Sequence, residues 1–96
     1  MFARVTVIEG PPDRVAEGVR YIQEQVVPVA KTQRGIKAGY WLVDRGSGKG
    51  LAITLWESEG ALRASEPAVA KLREEAVAAS GAKLLSVDVY EVVDQL

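Results

Sequence analysis

The chain has 96 residues and a net charge of −1, and its composition is 48% hydrophobic and 26% charged. This length predicts a single domain over residues 1–96, and the dispersed, near-neutral charge argues against nucleic acid or an anionic membrane as a partner. Because the sequence has no cysteine and no histidine, it excludes a disulfide framework and imidazole or thiolate chemistry. We therefore expect a cytoplasmic protein with no metal site, no cofactor and no membrane span.

A strand and a long helix are the first predicted elements. Side chains alternate over Phe2–Glu9, with Arg4 and Thr6 on one side and apolar residues on the other, which predicts a strand. Apolar residues then recur at steps of three and four over Pro12–Lys31, as on one face of an amphipathic helix. Pro28 lies inside this segment and should kink its last turn.

A β-hairpin follows. Its predicted parts are strand two at Ile36–Asp44, a turn at Arg45–Gly50 and strand three at Leu51–Glu57. We expect a register in which Gly39 pairs with Trp56 and Trp41 pairs with Thr54. This register puts both tryptophans and Thr54 on one face of the hairpin.

The second helix is predicted to be broken. Ser58 is a good N-cap residue, and Ser65, which lies just before Glu66 and Pro67, predicts a second cap. Gly81 should end the helix in a left-handed conformation. Strand four is predicted at Lys83–Val93. Its two faces carry Leu85, Val87 and Val89 on one side and Ser86, Asp88 and Tyr90 on the other.

The resulting order, βαββαβ, is typical of a ferredoxin-like α+β fold, in which two helices cover one face of an antiparallel sheet with strand order 4-1-3-2. The uncovered face of such a sheet should be polar. Here it carries Tyr40, Leu42, Ile53 and Leu55, and we expect Leu85, Val87 and Val89 of strand four to extend it. An exposed apolar face of this kind predicts a homodimer that packs through it.

The segment Trp56-Glu57-Ser58-Glu59-Gly60-Ala61-Leu62 resembles the antibiotic biosynthesis monooxygenase-like family, which typically has Trp-x-Ser-x-x-Ala-Leu/Phe after an apolar strand. The segments Val27–Ala30 and Gln33–Ile36 also resemble the family. The resemblance implies a dimeric α/β barrel and a ligand site between sheet and helices that is lined by Trp56. Family members include cofactor-independent monooxygenases of phenols and quinols, haem-degrading enzymes and proteins without an assigned activity. Haem degradation is disfavoured here, because those members use a histidine of helix two and this chain has no histidine.

The candidate substrate-binding residues are Trp56, Trp41, Thr54 and Tyr21, and the candidate catalytic residues are Asp88, Arg4 and Tyr90. Asp88 would act as a base if burial raised its pKa. Simpler interpretations remain open: the tryptophans would then be core residues, and Arg4 would pair with Asp88 across strands one and four. The predicted function is a cofactor-independent monooxygenase that binds a small aromatic substrate. The alternatives are a small-molecule-binding protein without catalysis and a dimer whose cleft is filled by its own side chains.

Overall fold

A computed structural model describes residues 1–96. It contains one antiparallel four-stranded sheet with strand order β2-β3-β1-β4. The strands are β1 at Phe2–Glu9, β2 at Ile36–Val43, β3 at Lys49–Trp56 and β4 at Lys83–Glu91. Helical segments connect β1 to β2 and β3 to β4. The predicted ferredoxin-like α+β fold and strand order are therefore confirmed.

The first helical segment is irregular where the sequence contains Pro28. It consists of a 3₁₀ turn at Pro12–Arg14, α1 at Val15–Tyr21, a π-helical stretch at Ile22–Val26 and α2 at Val27–Ala30. Proline has no N–H to donate to the preceding turn of a helix, so the wider π stretch just before Pro28 accommodates the missing hydrogen bond. None of the helices has the length and hydropathy of a membrane-spanning segment.

The second helical segment is divided as predicted, into α3 at Glu59–Ala64 and α4 at Glu66–Ser80. Ser58 caps α3, since its Oγ accepts a hydrogen bond from the backbone N–H of Ala61 at 3.1 Å. Gly81 ends α4 with φ of 69°. Ser65 is the N-cap residue of α4, as predicted, but its side chain does not cap the helix. Ser65 has a right-handed helical conformation and its hydroxyl instead donates to the carbonyl of Leu62 at 2.6 Å, so α4 has no side-chain cap.

The hairpin register differs from the prediction by two residues. Gly39 pairs with Thr54 and Trp41 pairs with Ala52. The tight loop decides this, because Asp44 donates its N–H to the carbonyl of Lys49 at 2.8 Å and so closes the ladder two residues earlier than expected. Side chains alternate with a period of two, so the shift leaves the predicted faces unchanged. Trp41, Thr54 and Trp56 still share one face.

The opposite face of the hairpin carries Tyr40, Leu42, Ile53 and Leu55, and no helix covers it; we call this the open face. Tyr40 is 56% exposed and Leu42 is 46% exposed. The predicted contribution of β4 to this face is wrong. Val87 and Val89 pair with Thr6 and Arg4 on the side of the helices, and the open face of β4 carries Ser86, Asp88 and Tyr90. A β-bulge at Leu85 separates Leu84 from the rest of this pattern.

Candidate functional site

A cavity of about 120 Å³ lies between the helix-covered face of the sheet and the helices. Its floor is formed by the first three strands, including Thr6 of β1 and Ala52 of β3, and its roof includes Val26, Val69 and Leu72. Nearly all of this wall is apolar. The only ionisable side chains that line the cavity are Arg4 and Arg73.

Two tryptophans form an aromatic side of this cavity. Trp56 is only 1% exposed, and its indole Nε1 donates to the hydroxyl of Thr54 at 3.0 Å. The Trp41 ring folds back over Gly39, since a Cβ on Gly39 would lie 2.8 Å from ring atoms of Trp41. Glycine inside a strand often marks a close approach of this kind. Gly39 therefore sets the position of the Trp41 ring.

Arg4 is buried beneath the aromatic wall, with its side chain 2% exposed. Its guanidinium carbon lies 5.4 Å from the centre of the Trp56 ring, at cation–π distance. One nitrogen, Nη2, makes every polar contact of the side chain. It donates to the carbonyl of Leu62 at 2.9 Å and to Ser65 Oγ at 3.2 Å, and it lies 2.8 Å from Glu66 Oε2. The other two nitrogens, Nε and Nη1, have no hydrogen-bond partner.

Glu66 links Arg4 to a second arginine. Its Oε1 accepts a hydrogen bond from Arg73 Nη2 at 2.8 Å, while Arg73 Nη1 is buried without a partner. Burial lowers the pKa of Arg4, and the charge of Arg73 lowers it further, whereas Glu66 raises it. Burial also raises the pKa of Glu66, but the hydrogen bond from Arg73 and the charge of Arg4 outweigh this effect and leave the pKa below its ordinary value. With two guanidinium groups and one carboxylate, the cluster has one net positive formal charge.

Four of the predicted site residues lie around this cavity: Trp56, Trp41, Thr54 and Arg4. The other three do not. Tyr21 is half-buried in α1 away from the lining, and Asp88 and Tyr90 are exposed on the open face. The register of β4 causes this separation, because Arg4 pairs with Val89 and Asp88 pairs with Val5. The structure therefore contradicts both the Arg4–Asp88 pair and the placement of Asp88 as a buried base beside Arg4.

Sequence reasoning missed the two residues that complete the polar cluster, Glu66 and Arg73. They are seven residues apart on α4, two turns along the same helix face, so their hydrogen bond was available from helical periodicity. The contact of this pair with Arg4 could not be predicted from helical periodicity, because it joins residues that are distant in the chain. No group of three or more carboxylates, or of other side chains suited to a metal ion, occurs in the structure.

The fold and the cavity together define a ferredoxin-like α+β protein with space for a small apolar molecule between sheet and helices. No sequence model of a protein family matches the chain. Two proteins of Mycobacterium tuberculosis are similar in sequence. Uncharacterized protein Rv2558 is 37% identical over 76 residues, which cover 79% of this chain and 32% of that protein. Uncharacterized protein Rv2557 is 30% identical over 74 residues, 77% of this chain and 33% of that protein. The chain thus spans about a third of the length of these curated relatives.

Solved structures match over nearly the whole chain. A putative antibiotic biosynthesis monooxygenase from Deinococcus radiodurans has a TM-score of 0.77 at 16% identity, covering 100% of this chain and 96% of that one. The ActVA-Orf6 monooxygenase of Streptomyces coelicolor, in complex with the ligand Nanaomycin D, has a TM-score of 0.75 at 18% identity, covering 99% of this chain and 89% of that one. The haem degrader MhuD of Mycobacterium tuberculosis, with two haems bound, has a TM-score of 0.71 at 24% identity, covering 100% of this chain and 99% of that one. The chain therefore has the fold of the antibiotic biosynthesis monooxygenase-like proteins, as the residues around Trp56 predict.

Proposed function

We propose that this protein binds a small aromatic molecule in the cavity beside Trp41 and Trp56. The observation that carries the proposal is the combination of an apolar cavity of about 120 Å³ with two indole rings and the Thr54 hydroxyl in its wall. An engineered protein cavity of roughly 150 Å³ takes up benzene, so a single aromatic ring is the appropriate size. Flat rings also gain from stacking on indole beyond the area that they bury.

Binding can be tested by titrating the protein with phenol, catechol and p-benzoquinone while the two indole N–H signals are followed by NMR. Saturable shifts of both signals at one common dissociation constant are the expected result, because both rings border the same cavity. Absence of a saturable shift with every one of these molecules would contradict the proposal. The neutral aliphatic alcohol cyclohexanol is a matched control for size without an aromatic face.

Cofactor-independent oxygenation of such a ligand is the second candidate. The favourable observation is the buried guanidinium of Arg4, whose positive charge next to the cavity would stabilise a phenolate. A phenolate is electron-rich enough to react with oxygen: the ring C–H para to the oxygen becomes a carbonyl, one oxygen atom enters the quinone, and the other leaves as water. The likeness to structures described as monooxygenases supports this candidate at the level of fold.

An oxygen electrode separates the two candidates. Oxygen uptake that depends on protein and phenol, with quinone formed in equal amount, would establish oxygenation, whereas saturable binding without uptake would establish a binding protein. The lining contains no carboxylate or tyrosine to accept the phenol proton. We therefore expect any uptake to rise with pH along the titration of the free phenol.

The assembly that we propose is a homodimer through the open face. Its support is the exposure of Tyr40 and Leu42 beside the half-buried Ile53 and Leu55, an apolar surface that a second copy would cover. Asp88 lies on the same face but in β4, which is an edge strand. Its carboxylate can therefore stay at the hydrated rim of the proposed interface.

A further inference from the structure

The cluster of Arg4, Glu66 and Arg73 carries information about the charge of the ligand. Arg4 has two nitrogens and Arg73 has one that are buried without any hydrogen-bond partner in the structure. Such unmade hydrogen bonds are rare in folded proteins, and they cost most where the donor is charged. Three of them within one cluster indicate a site that is completed by a hydrogen-bond acceptor.

The charges of the cluster specify which acceptor fits. Two guanidinium groups face one carboxylate, and Glu66 already uses both of its oxygens, one for each arginine. One positive charge is left over beside a cavity whose wall is otherwise apolar. The attraction between these guanidinium groups and an anion is stronger there than in water, because the apolar wall screens charges poorly.

We propose, on the basis of the function inferred above, that the ligand is an aromatic anion, a carboxylate or a phenolate, whose charged oxygen is held by Arg4 and Arg73 while its ring lies against Trp41 and Trp56. Arg4 and Arg73 both line the cavity, so one small molecule can contact the tryptophan rings and the guanidinium groups at the same time. The three free nitrogens have almost no accessible surface, so contact requires a side-chain rotation. Arg73 is the freer of the two, with its side chain 15% exposed against 2% for Arg4.

The test compares two ligands of nearly the same shape and different charge, benzoate and benzamide, at pH 7 and constant ionic strength. Wild-type protein should bind benzoate about tenfold more tightly than benzamide, as expected for a charge-assisted hydrogen bond. Arg73→Met should bring the two dissociation constants within about twofold of each other by weakening benzoate alone. Arg63→Gln is the matched control, because it also removes an arginine that pairs with a glutamate, but on the exposed surface of α3. It should leave the preference unchanged.

A second variant moves the preference in the other direction. Glu66→Gln removes the competing carboxylate, so its affinity for benzoate should be at least about threefold higher than that of wild type. A role for the cluster in folding alone would predict lower stability with no gain in benzoate affinity.

Each outcome separates this inference from the proposed function. Equal binding of benzoate and benzamide to wild type would overturn the inference and leave the aromatic site intact. A benzoate preference that survives Arg73→Met, with no gain in benzoate affinity in Glu66→Gln, would also overturn it. Failure of benzamide, phenol and benzoate alike would overturn the aromatic site itself.

Discussion

The guanidinium carbon of Arg4 lies 5.4 Å from the centre of the Trp56 ring. Both side chains are almost completely buried, at 2% and 1% exposed. The ring thus lies against a buried positive charge that also lines the cavity, and the same contact joins the aromatic wall to the cluster around Glu66. Changes to Trp56 should consequently affect the fold as well as the site.

Trp56→Ala should lower the free energy of unfolding by about 3–5 kcal/mol, as for other fully packed aromatic side chains. The cause is the loss of a buried ring that also covers Arg4. Trp56→Phe keeps a flat apolar surface and should retain most of the affinity for phenol, although the hydrogen bond to Thr54 is lost. Urea denaturation and NMR titration measure the two effects. Wild-type stability in Trp56→Ala would contradict the packing seen here.

Gly39→Ala should weaken the binding of phenol, because the new Cβ would lie 2.8 Å from the Trp41 ring and displace it. Loss of a stacked ring corresponds to about a three- to tenfold increase in the dissociation constant. Gly60→Ala is the control, since a Cβ there would be 3.9 Å from its nearest neighbour. Unchanged phenol affinity in Gly39→Ala, together with an unshifted Trp41 indole signal, would mean that Gly39 does not position the ring.

Tyr40→Glu should convert a dimer to a monomer, because it places a charge beside Ile53 on the apolar open face. Tyr40 is 56% exposed in the single chain, so the substitution should leave the fold intact. Analytical ultracentrifugation at micromolar concentration measures the outcome, with Val29→Glu, on the helical side and 42% exposed, as the control. A monomeric wild type under these conditions would refute the proposed assembly.

The stability of the protein should fall as acid protonates Glu66. Its pKa in the folded chain lies below the ordinary value of 4.5, so the unfolded chain takes up the proton first as the pH falls. The stabilisation by this ion pair is therefore fully present above pH 4.5 and is lost as the pH falls through the folded pKa.

Glu66→Gln should make the stability of the protein depend less on pH in this range. The urea midpoint can be measured between pH 6 and pH 3, a range of about three pH units around the carboxylate titration. Glu59→Gln removes a carboxylate paired with the exposed Arg63 and should keep the wild-type slope. The same slope in Glu66→Gln and in wild type would show that the Arg4–Glu66–Arg73 cluster does not contribute to acid sensitivity.

Local sequence signals determined the elements and four of the residues that line the cavity. The Ser58 cap, the break before Pro67, the left-handed Gly81 and the alternation within each strand depend on neighbouring residues, so the sequence predicts them directly. The faces of the hairpin were also predictable, despite the register error, because a shift of two residues returns each side chain to the same face. Trp41, Thr54 and Trp56 thus meet at one cavity, as predicted.

Only the tertiary structure decided the partners of Arg4. Pairing between β1 and β4 joins the two ends of the chain, and there a difference of one residue exchanges the faces: Val89, and not Asp88, lies opposite Arg4. The same holds for Glu66 and Arg73, which α4 brings to Arg4 from more than sixty positions along the chain. Such contacts depend on how a helix packs on a sheet, and no local pattern of residues specifies that packing.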